Sequence, residues 1–180
     1  MYRLLIVDDE PHILSALRRI FTRRDALGVH YLVETFDNPE AALVRARQLP
    51  IDLVLSDYRM PEMDGVTFLQ AFRKIQPDAM RLILSGYADL QAVLSALNEA
   101  EIYRFICKPW QDYELRTTIA QALSYRNLIL ENQQLADIIR VTRGKLSAQD
   151  AELRRLEREH PGITQVEWTE DGAVILDDLD

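Results

Sequence analysis

Five short apolar runs recur over the first 125 residues, at Leu4 to Val7, Tyr31 to Thr35, Leu53 to Ser56, Arg81 to Leu84 and Tyr103 to Ile106. Each is followed by a stretch with helical spacing. The third shows the pattern: of Ile51 to Leu55, four residues are apolar and two of those are β-branched, which reads as a buried strand. Helix starts lie between the runs. In "FDNPEAALVRARQL", Asn38 can cap and Pro39 occupies the first helical position. In "SGYADLQAVLSALNEAE", Gly86 breaks the strand and Leu90, Val93, Leu94 and Leu97 share a helical face. Five β units alternating with five α units imply a parallel sheet covered by helices on both faces. A chain of 180 residues accommodates one such domain and an appendage.

In open sheets of this kind, sites form at the carboxyl ends of the strands. The first run ends in Asp8-Asp9-Glu10, the third in Asp57, the fourth in Ser85 and the fifth in Lys108-Pro109. Taken singly these residues have plain readings. An Asp at a strand-to-helix boundary is usually a cap or turn residue, and a Lys-Pro merely stops a strand. Taken together they converge on one rim, where clustered carboxylates repel and call for a cation. Magnesium suits that demand, because it binds one or two carboxylates and shares the rest of its shell with water and phosphate oxygens. Lys108 adds a fixed positive charge for an anion, and Ser85 a hydroxyl donor. The set describes phosphoryl transfer onto a carboxylate, with Asp57 as nucleophile.

Four segments in this order, "LLIVDDEP", "VLSDYRMPEMDG", "LILSGYADL" and "RFICKPW", resemble the receiver domain of two-component response regulators. The resemblance covers about residues 1 to 125. It implies the flavodoxin-like (βα)5 fold with strand order 2-1-3-4-5 and a cis peptide before Pro109. It further implies Asp57 as phosphoacceptor, with Mg2+, or Mn2+ in its place, held by Asp9, Asp57 and the backbone carbonyl of Arg59. Asp8 would act through a metal-bound water. Lys108 and Ser85 would bind the phosphoryl group, and Ser85 and Phe105 would form the switch. The expected donor is a sensor histidine kinase or phosphotransfer protein, and the expected catalysis goes no further than the domain's own phosphorylation and dephosphorylation. Tyr87 and Arg59 flank the rim and could tune the loss of the phosphoryl group.

Composition narrows the remaining classes. A net charge of −8 disfavours broad attachment to nucleic acid or an anionic membrane. No apolar run approaches the ~18 residues of a membrane span, and the start "MYRLLIVDDEPH" is unlike a signal peptide, so a cytoplasmic location is expected. A single cysteine, Cys107, excludes an internal disulfide framework, and His12, His30 and His160 lack ligand spacing.

Beyond Tyr125, residues 126 to 160 continue with helix formers and no proline until Pro161. Alternating steps of four and three place Leu128, Asn132, Leu135, Ile139, Leu146, Leu153 and Leu156 on one seam, interrupted by Thr142 and Gln149. This predicts a coiled-coil continuation of the fifth helix, and a parallel homodimer in which Asn132 fixes the register. The alternative is a helix folding back on its own receiver. Residues 161 to 180 read as a hairpin around Asp171-Gly172, with Val166, Trp168, Ala173 and Ile175 on one face and no basic residue. Output by protein contact through this extension is the leading expectation. The competing ones are an absent effector, an HD-type phosphodiesterase or transcription activator, and a phosphate sink that drains a kinase.

Overall fold

A computed structural model of the chain describes residues 1–22, 30–86, 100–144, 147–160 and 163. Its strands are β1 (Tyr2–Val7), β2 (Tyr31–Phe36), β3 (Leu53–Asp57), β4 (Met80–Gly86) and β5 (Arg104–Lys108). All neighbours pair in parallel, in the order β2-β1-β3-β4-β5. The described helices are α1 (Pro11–Thr22), α2 (Pro39–Gln48), α3 (Gly65–Ile75), α4 (Asp112–Thr142) and α5 (Ala148–Glu159). The helix expected around Leu90, Val93, Leu94 and Leu97, together with Tyr87, lies outside the described residues, as does the expected hairpin.

The strands carry apolar residues on both sides because helices cover both faces of the sheet. Leu5, Val7, Val54 and Ile83 pack with α2 and α3, where Phe68 and Phe72 are fully buried. Leu4, Ile6, Leu53, Leu55, Leu82 and Leu84 face α1 and the first turns of α4, including Leu115 and Ile119. Local signals set the helix starts. Asn38 accepts from the Ala41 N–H at 3.0 Å, and Asp64 accepts from the Thr67 N–H at 2.8 Å.

Buried polar groups tie the amino-terminal edge of the sheet together. The Gln76 amide accepts from the Ile51 N–H at 2.6 Å and donates to the Ala46 and Leu49 carbonyls at 2.6 and 2.7 Å. α4 is fastened to the same edge past Tyr125. Arg126 meets Asp52 at 2.8 Å and donates to the Asp78 carbonyl at 3.0 Å, while Asn127 donates to the Tyr2 hydroxyl at 2.7 Å.

The expected unbroken helix from 126 to 160 is corrected here. α4 stops at Thr142, Gly144 takes a left-handed φ of 65°, and Ser147 caps α5 by accepting from the Asp150 N–H at 3.0 Å. Glycine supplies that conformation without steric cost, and a serine before a helical pattern restarts the helix. α5 then folds back along α4, where Arg154 and Arg140 approach the buried Asp137 carboxylate at 3.5 and 3.0 Å. Leu153 and Leu156 therefore do not prolong the line of Leu128, Leu135 and Ile139, and Leu146 lies outside the described residues. A single seam of four heptads is thereby removed.

Candidate functional site

The strands carry the expected residues to one rim. Asp57 and Lys108 are the last residues of β3 and β5, Ser85 is the last but one of β4, and Asp8 follows directly on β1. Parallel register sets Asp57 opposite Leu84, Ser85 opposite Cys107 and Gly86 opposite Lys108. The Tyr58 N–H bonds the Leu84 carbonyl at 2.8 Å, which carries the β3–β4 ladder past Asp57.

Lys108 joins the two acids. Its Nζ lies 2.8 Å from Asp8 Oδ2 and 2.5 Å from Asp57 Oδ1. The other oxygens accept from the backbone: Asp8 Oδ1 from the Glu10 N–H at 3.0 Å, and Asp57 Oδ2 from the Arg59 N–H at 2.8 Å. Asp8 is fully buried and Asp57 nearly so. Burial pushes both carboxyl pKa values up, and the hydrogen bond to Lys108 offsets this only in part. Burial alone would lower the Lys108 value, but hydrogen bonds to Asp57 and Asp8 outweigh it and raise the ammonium above its ordinary 10.5.

One lysine serves two buried carboxylates, and Glu10 approaches it at 3.8 Å, so the rim keeps an excess of negative charge. Its hard oxygen donors suit a magnesium-sized cation. Among the described residues, no three acidic or histidine side chains gather closely enough to hold an ion alone. The set fits an ion that keeps waters, as Mg2+ does.

Ser85 is buried and donates to the Gly86 carbonyl at 3.1 Å. Ile83, two residues earlier on the same face, pairs with Phe105, which is half-buried against the α2/α3 side of the core. One rim residue, Glu10, acts through its backbone, and one contributor, Gly65, was not legible as a site residue. Glu10 orients Asp8 through its N–H, and its place in the acidic trio Asp8-Asp9-Glu10 was the available signal. Gly65 lets α3 start directly against Asp57, since a Cβ there would overlap the Asp57 carbonyl oxygen. The Asp64-Gly65 pair was visible, but its reason was not.

The response regulator receiver domain model matches residues 4–120. The chain belongs to that family. It is 34% identical over 144 residues to the hydrogenase transcriptional regulatory protein HoxA of Bradyrhizobium diazoefficiens, a match covering 79% of this chain and 28% of that protein. Among solved structures, an uncharacterized protein from Neptuniibacter caesariensis is 40% identical, with a TM-score of 0.65, over 73% of this chain and 93% of that one. The signal receiver domain of an HD domain-containing protein from Pseudomonas fluorescens Pf-5 is 32% identical, with a TM-score of 0.64, over 72% and 92%. The chain thus spans little more than a quarter of the HoxA relative's length. Receivers are phosphorylation-controlled signalling modules, generally without enzymatic output. They use Mg2+ and exchange phosphoryl groups with histidine kinases or phosphotransfer proteins. No described helix of this receiver is long and apolar enough to cross a membrane.

Proposed function

We propose that Asp57 accepts a phosphoryl group from a histidine kinase or phosphotransfer protein, and that the gained charge alters protein contacts made by α4 and α5. The observation that carries this reading is Lys108 held between Asp8 and Asp57. A buried carboxylate is kept at the rim there beside a cation that can pass to an incoming anion. An Asp57 oxygen attacks phosphorus, the P–N bond of the phosphohistidine breaks, and the departing imidazole nitrogen takes a proton from solvent. Lys108 then bonds the phosphoryl oxygens, and the Ser85 hydroxyl leaves the Gly86 carbonyl to do the same. Inward movement of Ser85 frees space for Phe105 to rotate, which carries the change toward β5 and α4. Hydrolysis of the acyl phosphate restores the carboxylate and releases inorganic phosphate.

Asp9, Asp57 and the Arg59 carbonyl would hold Mg2+, or Mn2+, with Asp8 acting through water. The ion supplies neutralisation of phosphoryl charge when bound. Homodimerisation along the exposed α4 stripe belongs to this proposal, with no direct nucleic-acid contact and a cytoplasmic site of action. A second reading, in which the receiver governs a separate effector, is supported by its relatives: one is a transcriptional regulator and another is the receiver domain of an HD domain-containing protein.

The test is labelling with a small phosphodonor and Mg2+, read by intact mass. Wild type should gain one phosphoryl group and Asp57→Asn none. Full labelling of Asp57→Asn would place the nucleophile elsewhere.

A further inference from the structure

A groove of about 1210 Å3 lies at the edge of the sheet remote from Asp57, between the ends of α2 and α3, the extension of α4, and α5. Five basic side chains line it: Arg47, Lys74, Arg126, Arg140 and Arg154. The lining acids are Asp78, Asp137 and Glu157. Several of these charges are already engaged. Arg126 pairs with Asp52, whereas Arg140 and Arg154 share the single carboxylate of Asp137. Arg47 and Lys74 are exposed, and among the described residues neither has an ion-pair partner. The groove is thus a surplus of positive charge on a chain of net charge −8.

The complementary charge is carried by the same chain. Residues 164 to 180 contain Glu167, Glu170, Asp171, Asp177, Asp178 and Asp180 and no lysine, arginine or histidine. They also contain Val166, Trp168 and Ile175, which can cover apolar lining such as Ile75 and Ile129. The described end of α5 lies at the groove. Because α5 turns back along α4, Arg154 and Glu157 line the groove, and α5 ends two residues later at Glu159, with His160 as its cap. The chain covers at most roughly 3.3–3.6 Å per residue, so the few residues between Glu157 and residue 164 cannot carry the segment far away. Tethering of this kind gives millimolar effective concentrations, at which modest charge pairing suffices.

We propose that the groove seats the chain's own acidic segment, residues 164 to 180, so that Arg47 and Lys74 find their counter-charges there. Seated in this way, the segment clamps α5 against the receiver and fixes the angle between the α4–α5 pair and the sheet. This goes beyond phosphoryl acceptance, since it concerns the opposite edge of the domain and requires no phosphorylation.

The experiment uses the full chain, with the indole N–H resonances of Trp110 and Trp168 as probes. The variant is Arg47→Glu with Lys74→Glu, whose positions are exposed, and its far-UV circular dichroism should match wild type. In wild type the Trp168 resonance should be displaced from the position of a free indole. It should move to that position in the double variant and at about 1 M salt, where screening acts within ~3 Å. Trp110 should stay fixed. A Trp168 resonance at the free position in wild type, or one unmoved by both changes, overturns the proposal. A displacement that grows with protein concentration overturns the intramolecular seat in favour of a second copy's segment. Groove amides that respond only to added polyglutamate overturn it in favour of a foreign acidic partner.

Discussion

Gly65 begins α3 so close beneath Asp57 that a Cβ on it would overlap the Asp57 carbonyl oxygen and stand 3.0 Å from the Tyr58 Cα. The close contact is held by the Gly65 N–H, which bonds the Tyr58 carbonyl at 2.8 Å. All the atoms in the way are backbone, so no rotamer change can make room. Gly65→Ala must push α3 from the end of β3 or twist the Asp57 peptide. Overpacking of this sort costs about 1–3 kcal/mol. The expected result is a lower Tm together with slower phosphoryl labelling of Asp57. Wild-type melting and labelling in Gly65→Ala would show that the loop yields freely.

Lys108 is the one cation in contact with both Asp8 and Asp57 among the described side chains. Lys108→Ala leaves two buried carboxylates facing each other, a loss of about 3–5 kcal/mol when one partner of a buried pair is removed. The vacated charge also deepens the negative potential at the rim. Mg2+ should therefore raise the Tm of Lys108→Ala by more than it raises that of wild type. Thermal melts across an Mg2+ series decide this, and equal increments would show that the rim potential does not depend on Lys108.

The pH dependence follows from the direction of the shifts. Asp8 and Asp57 titrate above their ordinary 3.8 in the folded chain, chiefly through burial. Between the ordinary and the raised values the folded state binds more protons than the unfolded one. Stability therefore falls as pH climbs through that window, and the loss is complete above it. Lys108 has the same sign in a separate alkaline window: its contribution is full below 10.5 and lost as pH rises through its raised value. Asp57→Asn cannot ionise. At neutral pH without divalent ions it should melt above wild type. The advantage should shrink as pH is lowered through the acidic window. Equal Tm values at every pH would mean that ionisation of Asp57 costs the fold nothing.

Legibility in the sequence tracked locality. The strand runs, the Asn38 cap and the rim set Asp8, Asp57, Ser85 and Lys108 are local patterns, and the parallel alternation places the rim set at one edge. Gly65 was not readable because its need arises only where α3 abuts the Asp57 backbone. The reversal after α4 was harder still. Heptad spacing continues through Leu153 and Leu156, and a lone Gly144 inside a helical pattern costs only about 1 kcal/mol. What turns the chain is the combination of left-handed Gly144, the Ser147 cap and the Asp137 carboxylate awaiting Arg154, and the last of these is a contact between residues seventeen apart.

The reversal also relocates the interface of the proposed dimer. Leu128, Leu135 and Ile139 lie on one stripe of α4 and are 53%, 59% and 50% exposed, and Ile138 beside them is 62% exposed. Surface leucines occur singly without meaning, but Leu135, Ile138 and Ile139 are exposed together, with Leu128 two turns away across Asn132, and such a cluster on one helix suits an interface. Arg126 and Asn127 fasten the base of α4 to the sheet, so the stripe is presented at a fixed angle and two copies can meet along it without ordering a loose helix. The stripe covers fewer than two heptads, and helices that short are marginal unless packed. Association should accordingly depend on concentration rather than be obligate. Light scattering over a micromolar range should show the mass rising toward a dimer. Leu135→Asp with Ile139→Asp should hold the chain as a monomer, because each partner would bury a charge against the other's apolar stripe. A wild type that stays monomeric throughout would rule out this interface, and a dimer that persists in the double variant would move it to the receiver's own surface.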